Sequence, residues 1–216
     1  VHRPAAVRGA GPRVGDIEVT GGQAPADPFT FHNVGQLFQS CIGDIGVDAV
    51  KIGMLGSAEI ADVVAGRLEV LGVPVVFDPV MVATSGAALA DAATMAAFAR
   101  LIGIASLVTP NLPELAALGG EAKLAAMARA VLIKGGHGDG DVLTDRLVTG
   151  SGEKARWADA RIDTTSTHGT GCTLAAAIAT GLGQGMALEA AIARARQFVR
   201  AALEAAARQR ASDSRP

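Results

Sequence analysis

Val73-Pro74-Val75-Val76-Phe77-Asp78 is a near-continuous apolar run that ends on a carboxylate. It does not alternate, so a strand built from it must be buried on both faces, as in parallel sheets covered by helices. The flanking sequence repeats the theme. Upstream, Asp48-Ala49-Val50-Lys51-Ile52-Gly53 reads as a second short buried strand. Ser57 caps a helix over residues 57–71, with Glu59 in its first turn, where a carboxylate suits the dipole, and Gly72 ends it. Downstream come a helix over 92–101, a strand over 106–109 and a helix after Asn111 with Pro113 in its first turn. Val131-Leu132-Ile133-Lys134 is a further strand. This alternation implies a right-handed, mostly parallel α/β sandwich. Ligands of such sheets bind at the carboxyl ends of the strands.

The pattern changes after Lys134. Residues 142–149 and 154–162 flank Gly150-Ser151-Gly152 and read as a β-hairpin. Two helices close the chain, from Thr170 and from Ala187. In the last, Leu188, Ile192, Ala195, Val199 and Leu203 form an apolar stripe, with Glu189, Arg194, Arg196, Arg200 and Glu204 on the solvated face. The tail from Arg208 onward is expected to fray.

Composition narrows the function. The chain has 216 residues, enough for one sizeable core, and half of them are hydrophobic with only 3% aromatic and no Tyr. The core is therefore Ala, Val, Leu and Ile. A net charge of −2 argues against electrostatic nucleic-acid binding. No apolar run is long enough to span a bilayer, and the Gly-, Pro- and Ala-rich start has no apolar signal region. Two cysteines, Cys41 and Cys172, form no disulfide framework and suit a reducing cytoplasm. The chain starts with Val, which fits a processed product, a fragment or a non-standard start.

The strand ends and one loop carry the chemistry. Thr167-His168-Gly169-Thr170-Gly171-Cys172-Thr173-Leu174 turns into an Ala-rich helix. Such a turn aims backbone N–H groups and the positive end of the helix dipole at one spot, suited to a phosphate or an oxyanion. In the first turn Cys172 gains thiolate character; the alternative is a small packed side chain behind a Gly-rich helix start. Asn111 and Glu114 lie one helical turn apart, and Asp78 ends another strand. These oxygens suit Mg²⁺, and equally suit an N-cap, its capping-box partner and a turn residue. Lys134, before a Gly pair, could reach a nucleotide phosphate or stay solvated. His137 and His168 are weak signals, and no Cys pair stands at zinc-ligand spacing. Together the groups sketch phosphoryl transfer. The Gly-x-x-x-x-Gly-Lys-Ser/Thr loop is absent, which excludes a P-loop kinase.

Five segments in order carry a resemblance. They are Lys51-Ile52-Gly53-Met54-Leu55, Asp78-Pro79-Val80-Met81-Val82-Ala83, Val108-Thr109-Pro110-Asn111-Leu112-Pro113-Glu114, Leu132-Ile133-Lys134-Gly135-Gly136-His137 and Thr167-His168-Gly169-Thr170-Gly171-Cys172-Thr173. The chain resembles, over residues 41–205, the hydroxymethylpyrimidine/phosphomethylpyrimidine kinases of thiamine biosynthesis, in the ribokinase superfamily. Related sugar kinases carry Asp where Cys172 stands. The resemblance implies a three-layer α/β/α sandwich around a mainly parallel sheet. It also implies ATP and Mg²⁺ as cofactors and a small pyrimidine as substrate, phosphorylated first at its hydroxymethyl group and then at the resulting monophosphate. Cys172 would be the base, and Gly169, Thr170 and Gly171 the anion hole. Asp78, Asn111 and Glu114 would handle phosphates, with Asp78 and Glu114 on the metal. Lys134 would contact ATP, and Met54 and Val80 would line the pyrimidine pocket. The implied setting is cytoplasmic, with no nucleic-acid or membrane partner; a homodimer is left open.

Two departures from the family pattern stand out. Residues 1–35 lack the family's opening strand and Gly-rich loop, so they read as a divergent or poorly ordered segment and the sheet as missing part of its N-terminal side. The kinase domain then spans residues 36–209, with a frayed tail over 210–216. Second, a helix over 121–130 meets the strand at Val131 with no turn residues between, which reads as a short deletion that strains the nucleotide side. Pyridoxal or pyridoxine kinase is the nearest alternative, and a non-catalytic nucleotide-binding remnant the other. A hydrolase with Cys172 as nucleophile is weaker, because no activating His and Asn/Asp pair stands in a recognisable motif.

Overall fold

The apolar run before Asp78 forms a strand at Val75–Phe77, third of the seven strands that the described residues place in one sheet. The structure, a computed structural model, describes residues 14–19, 42, 46–81, 92–136, 140–164 and 168–213. In chain order the elements are β1 (Val14–Val19), β2 (Ala49–Leu55), α1 (Ala58–Leu68), β3 (Val75–Phe77), α2 (Ala92–Ile104) and β4 (Leu107–Val108). Then come α3 (Leu112–Ala117), α4 (Glu121–Met127), β5 (Val131–Ile133), β6 (Val142–Thr149), β7 (Gly152–Ala160), α5 (Thr170–Gly183) and α6 (Leu188–Asp213).

The strands lie in the sheet in sequence order, β1 to β7. β1 to β5 pair in parallel, and the β6–β7 hairpin adds to β5 antiparallel. Right-handed crossovers that always advance in one direction place their helices on one face. There α1 to α4 pack on Val50, Ile52, Val75, Phe77, Val108, Val131 and Ile133. The opposite face is covered by the last two helices. Ala49, Val76, Leu107, Leu132 and Leu147 meet Leu174, Ala175 and Ile178 of α5 and Ala191 and Ile192 of α6 there. Val75 and Phe77 thus serve one layer and Val76 the other, which is why the run does not alternate.

Few aromatics build this core. Phe77 and Phe98 are fully buried and meet edge-to-face with centroids 5.1 Å apart. Each burial contributes roughly 1.5–3 kcal/mol, and the pair geometry about 0.5–1.5 kcal/mol more.

Local signals act as read. The Ser57 hydroxyl accepts the Ile60 N–H at 3.3 Å and caps α1. Pro113 sits in the first turn of α3. The hairpin and both closing helices are present. A strand, β1, lies within residues 1–35 and pairs with β2 from Val14↔Ala49 to Val19↔Leu55. Other expectations need correction. The helix expected over 121–130 stops at Met127, and Ala128, in an extended conformation, begins the connection to β5. No non-glycine residue among those described has a positive φ, so that connection carries no such strain. α6 continues to Asp213, past the expected fraying point. Arg196, assigned to the solvated face, is buried. Among the described residues no helix is long and apolar enough to cross a membrane.

Candidate active site

Three neighbouring strands end at one place. β3 delivers Asp78, β4 delivers Thr109 and β5 delivers Lys134. Asp78 Oδ1 accepts from Lys134 Nζ at 2.7 Å and from the Thr109 hydroxyl at 2.8 Å. Asp78 is 2% exposed. A carboxylate that deep needs such partners, since an unpaired buried charge costs several kcal/mol. The Lys134 N–H donates to the Pro110 carbonyl at 2.9 Å, and an isolated parallel bridge joins Asn111 to Lys134. Pairing of β4 with β5 thus persists past the strands and brings Lys134 alongside the start of α3.

Asn111 and Glu114 form a complete capping box at that start. Asn111 Oδ1 accepts the Glu114 N–H at 2.8 Å, and Glu114 Oε2 accepts the Asn111 N–H at 2.8 Å. The capping alternative is therefore realised. It does not exhaust Glu114, which is 9% exposed. Burial pushes its carboxyl above the usual range; the Lys134 ammonium and the Asn111 N–H oppose this, and the Asp78 charge adds to it. Glu114 shares one electrostatic environment with Asp78 and Lys134.

The first turn of α5 closes the site from the other layer. Gly169, at φ 77° and ψ 0°, is its left-handed N-cap, a conformation that favours glycine. The Thr173 N–H and hydroxyl both donate to the Gly169 carbonyl at 2.9 Å. The N–H groups of Thr170, Gly171 and Cys172 lie ahead of that first intrahelical bond, at the positive end of the dipole. A Cβ on Gly171 would stand 3.3 Å from Lys134 Nζ and 3.7 Å from Asp78 Oδ2. The turn thus rests on the Lys134–Asp78 pair. Cys172, next along, is half-buried and in no disulfide.

Asp78, Asn111, Glu114, Lys134 and Gly171 are thus gathered, with Gly169, Thr170 and Cys172 in the same turn. Met54 and Val80 are half-buried at the same end of the sheet, Met54 late in β2 and Val80 just past Asp78. His168 is exposed, and His137, Thr167 and Cys41 lie outside the described residues. Among the described residues no three His, Cys, Asp or Glu side chains form a ready-made metal cage. Sequence reasoning gave no role to Thr109, which is fully buried and orients Asp78. Its one signal was a hydroxyl residue at the end of an apolar strand.

The chain matches the family model described as phosphomethylpyrimidine kinase over residues 20–214. The hydroxymethylpyrimidine/phosphomethylpyrimidine kinase of Streptomyces coelicolor is 44% identical over 183 residues, covering 78% of this chain and 67% of that protein. The crystal structure of phosphomethylpyrimidine kinase from Clostridium difficile is similar at a TM-score of 0.66 and 27% identity, covering 81% of this chain and 77% of that one. Pyridoxal kinase from Staphylococcus aureus, solved with ADP, is similar at a TM-score of 0.67 and 30% identity, covering 78% and 66%. The chain spans about two thirds of the length of the Streptomyces kinase and about a quarter of longer multifunctional thiamine-biosynthesis proteins that it also matches. With most of its length matched by one family and this level of identity to a named member, the chain belongs to the phosphomethylpyrimidine kinase family.

Proposed function

We propose that the protein transfers the γ-phosphoryl group of ATP to the hydroxymethyl group of 4-amino-5-hydroxymethyl-2-methylpyrimidine, and a second phosphoryl group to the monophosphate. The observation that carries this reading is the seating of the α5 N-terminus on the Lys134–Asp78 pair. A backbone anion cradle, a lysine and a carboxylate meet there at the carboxyl ends of parallel strands. Phosphoryl transfer depends on such positioning and charge neutralisation.

In this reading the N–H groups of Gly169, Thr170 and Gly171 face the transferring phosphoryl group. Lys134 leaves Asp78 to meet a phosphate of ATP. The Cys172 thiolate, favoured by the helix N-terminus, takes the proton as the substrate hydroxyl oxygen bonds to phosphorus and ADP departs. Met54 and Val80 border the pyrimidine. The oxygens of Asp78 and Glu114 fit Mg²⁺, which is held by one or two carboxylates with the remaining positions filled by water and phosphate. Burial is the main cause of the raised Glu114 pKa, and a cation bound beside it would favour the ionised carboxylate. Bound there, Mg²⁺ would neutralise phosphate charge; Asn111 would orient Glu114 through the capping box. Reliance on ATP supports a cytoplasmic setting.

The test is ADP release with each acceptor in turn. The pyrimidine should support turnover and pyridoxal should be a poor acceptor. The similarity to pyridoxal kinase makes the reverse preference the outcome that would replace this reading. ATP binding without ADP release would favour a non-catalytic remnant.

A further inference from the structure

The Lys134-Gly135-Gly136 turn is held from outside the site. A Cβ on Gly135 would fall 2.1 Å from the Thr144 carbonyl oxygen, so the turn lies directly on β6. The Gly135 N–H donates to Asp145 Oδ1 at 2.8 Å. The other oxygen of Asp145 accepts from Arg196 of α6, whose second terminal nitrogen donates to Asp159 of β7. The Arg196 guanidinium also lies 5.9 Å from the centroid of the Trp157 ring. Asp145 and Arg196 are 8% and 9% exposed. Nothing in the phosphoryl-transfer scheme uses either residue. Yet a nearly buried charge pair costs desolvation, and its forked geometry permits few arrangements. Here one arm of the pair ends on the backbone N–H adjoining Lys134.

We propose that Asp145, oriented by Arg196, is a positioning residue for nucleotide binding: it pins the Gly135 N–H and so sets the Lys134 ammonium opposite Gly171. The inference rests on the kinase reading for the identity of the ligand. The brace itself belongs to the chain. Arg196 and Asp159 have no role in the phosphoryl-transfer scheme, and hydrogen bonds link them to the site through Asp145 and the turn.

The test compares Asp145→Ala, Asp145→Asn, Arg196→Gln and Arg196→Lys in the full chain. Arg200→Ala is the control, because Arg200 lies one turn along α6 from Arg196 and approaches Asp159 at 3.8 Å, but hydrogen-bonds to the Ala160 carbonyl rather than to Asp145. Three quantities are read: affinity for a non-hydrolysable ATP analogue by calorimetry, hydrogen exchange of the Gly135 amide by NMR, and KM for the acceptor. Asp145→Ala and Arg196→Gln should weaken analogue binding roughly 10–100-fold, the usual effect of losing an orienting partner. Gly135 exchange should accelerate, while the acceptor KM stays within about twofold. Asp145→Asn keeps an oxygen for Gly135 and should recover part of both losses. Arg200→Ala should leave all three near the parent. If Asp145→Ala does not fold, Arg196→Lys, which keeps the charge and loses the fork, carries the test. Folded variants with parental analogue affinity and parental Gly135 protection would overturn the proposal, as would an equal loss of acceptor binding. If the parent binds no analogue, the kinase reading fails, and Gly135 exchange still decides whether the brace exists.

Discussion

Replacing Gly171 by alanine should separate stability from activity. Gly171 has no positive φ and lies in the first turn of α5, so alanine meets no backbone strain. As a better helix former it offers up to about 1 kcal/mol in a helix interior and less in a first turn. For a chain of this size that is a rise of at most roughly 2–4 °C in Tm. The new methyl would stand 3.3 Å from Lys134 Nζ and 3.7 Å from Asp78 Oδ2. The first distance is tight, but the neighbour is the far end of a flexible side chain and can yield by a few tenths of an ångström. The fold should therefore survive with the ammonium displaced and the gap between the α5 N–H groups and the ion pair filled. A phosphoryl oxygen is proposed to occupy that gap. Losing one oxyanion donor costs about 10²–10³ in kcat, or roughly 2.7–4 kcal/mol. Coupled ADP release and a thermal melt give both readouts. A kcat within about threefold of the parent, with an unchanged melt, would refute the anion-cradle assignment. A collapsed Tm would refute the claim that Lys134 can yield.

Cys172→Ala should lower kcat by roughly 10²–10⁴ with ATP-analogue affinity nearly unchanged, since the cradle is backbone. Cys172→Asp should retain part of the rate, and full activity of the alanine variant would reduce Cys172 to a pocket wall. Glu114→Gln keeps an oxygen for the Asn111 N–H, so α3 should stay capped while turnover needs more Mg²⁺; superimposable Mg²⁺ titrations would leave Glu114 as a cap alone. The same variant has a pH signature. Because burial raises the folded pKa of Glu114, its contribution to stability is full below the unfolded carboxylate pKa and is lost as pH rises through the folded one. Urea denaturation from about pH 4 to 7 should show parental stability falling relative to the variant, and a flat difference would contradict the shift. Gly135→Ala, whose Cβ would collide with backbone at Thr144, should cost about 1–3 kcal/mol or more in the same denaturation measurement and weaken ATP-analogue binding. Parental stability would mean that the turn does not lie on β6.

Much of this architecture can be read from local pattern. The non-alternating run at Val75–Phe77 announces two helical layers, Ser57 and Asn111 announce helix starts, and the glycines after Ser166 announce the α5 turn. What escapes is what depends on distant partners. β1 is not singled out in the sequence, and what defines it is its parallel register with β2. Arg196 lies off the apolar stripe and looks solvated, yet two acidic residues 51 and 37 positions away draw it inward. Thr109 and Asp145 stand within or at the ends of strands and carry no role in the sequence reading, because a hydrogen-bond partner in another element leaves no periodic trace. At the site, sequence could offer Glu114 as a cap or as a metal-facing carboxylate. The capping box is present, and the metal-facing role remains the proposal that the Mg²⁺ titration of Glu114→Gln tests.

The central claim is phosphoryl transfer to a hydroxymethylpyrimidine at the junction of Asp78, Lys134 and Gly171. Its most direct test is ³¹P NMR of the full chain with ATP, Mg²⁺ and the pyrimidine, with pyridoxal as the parallel acceptor. The account predicts the pyrimidine monophosphate and then the diphosphate, with ADP formed in step and pyridoxal phosphate formed far more slowly. ADP and inorganic phosphate without any phosphorylated pyrimidine, or preferential phosphorylation of pyridoxal, would contradict it.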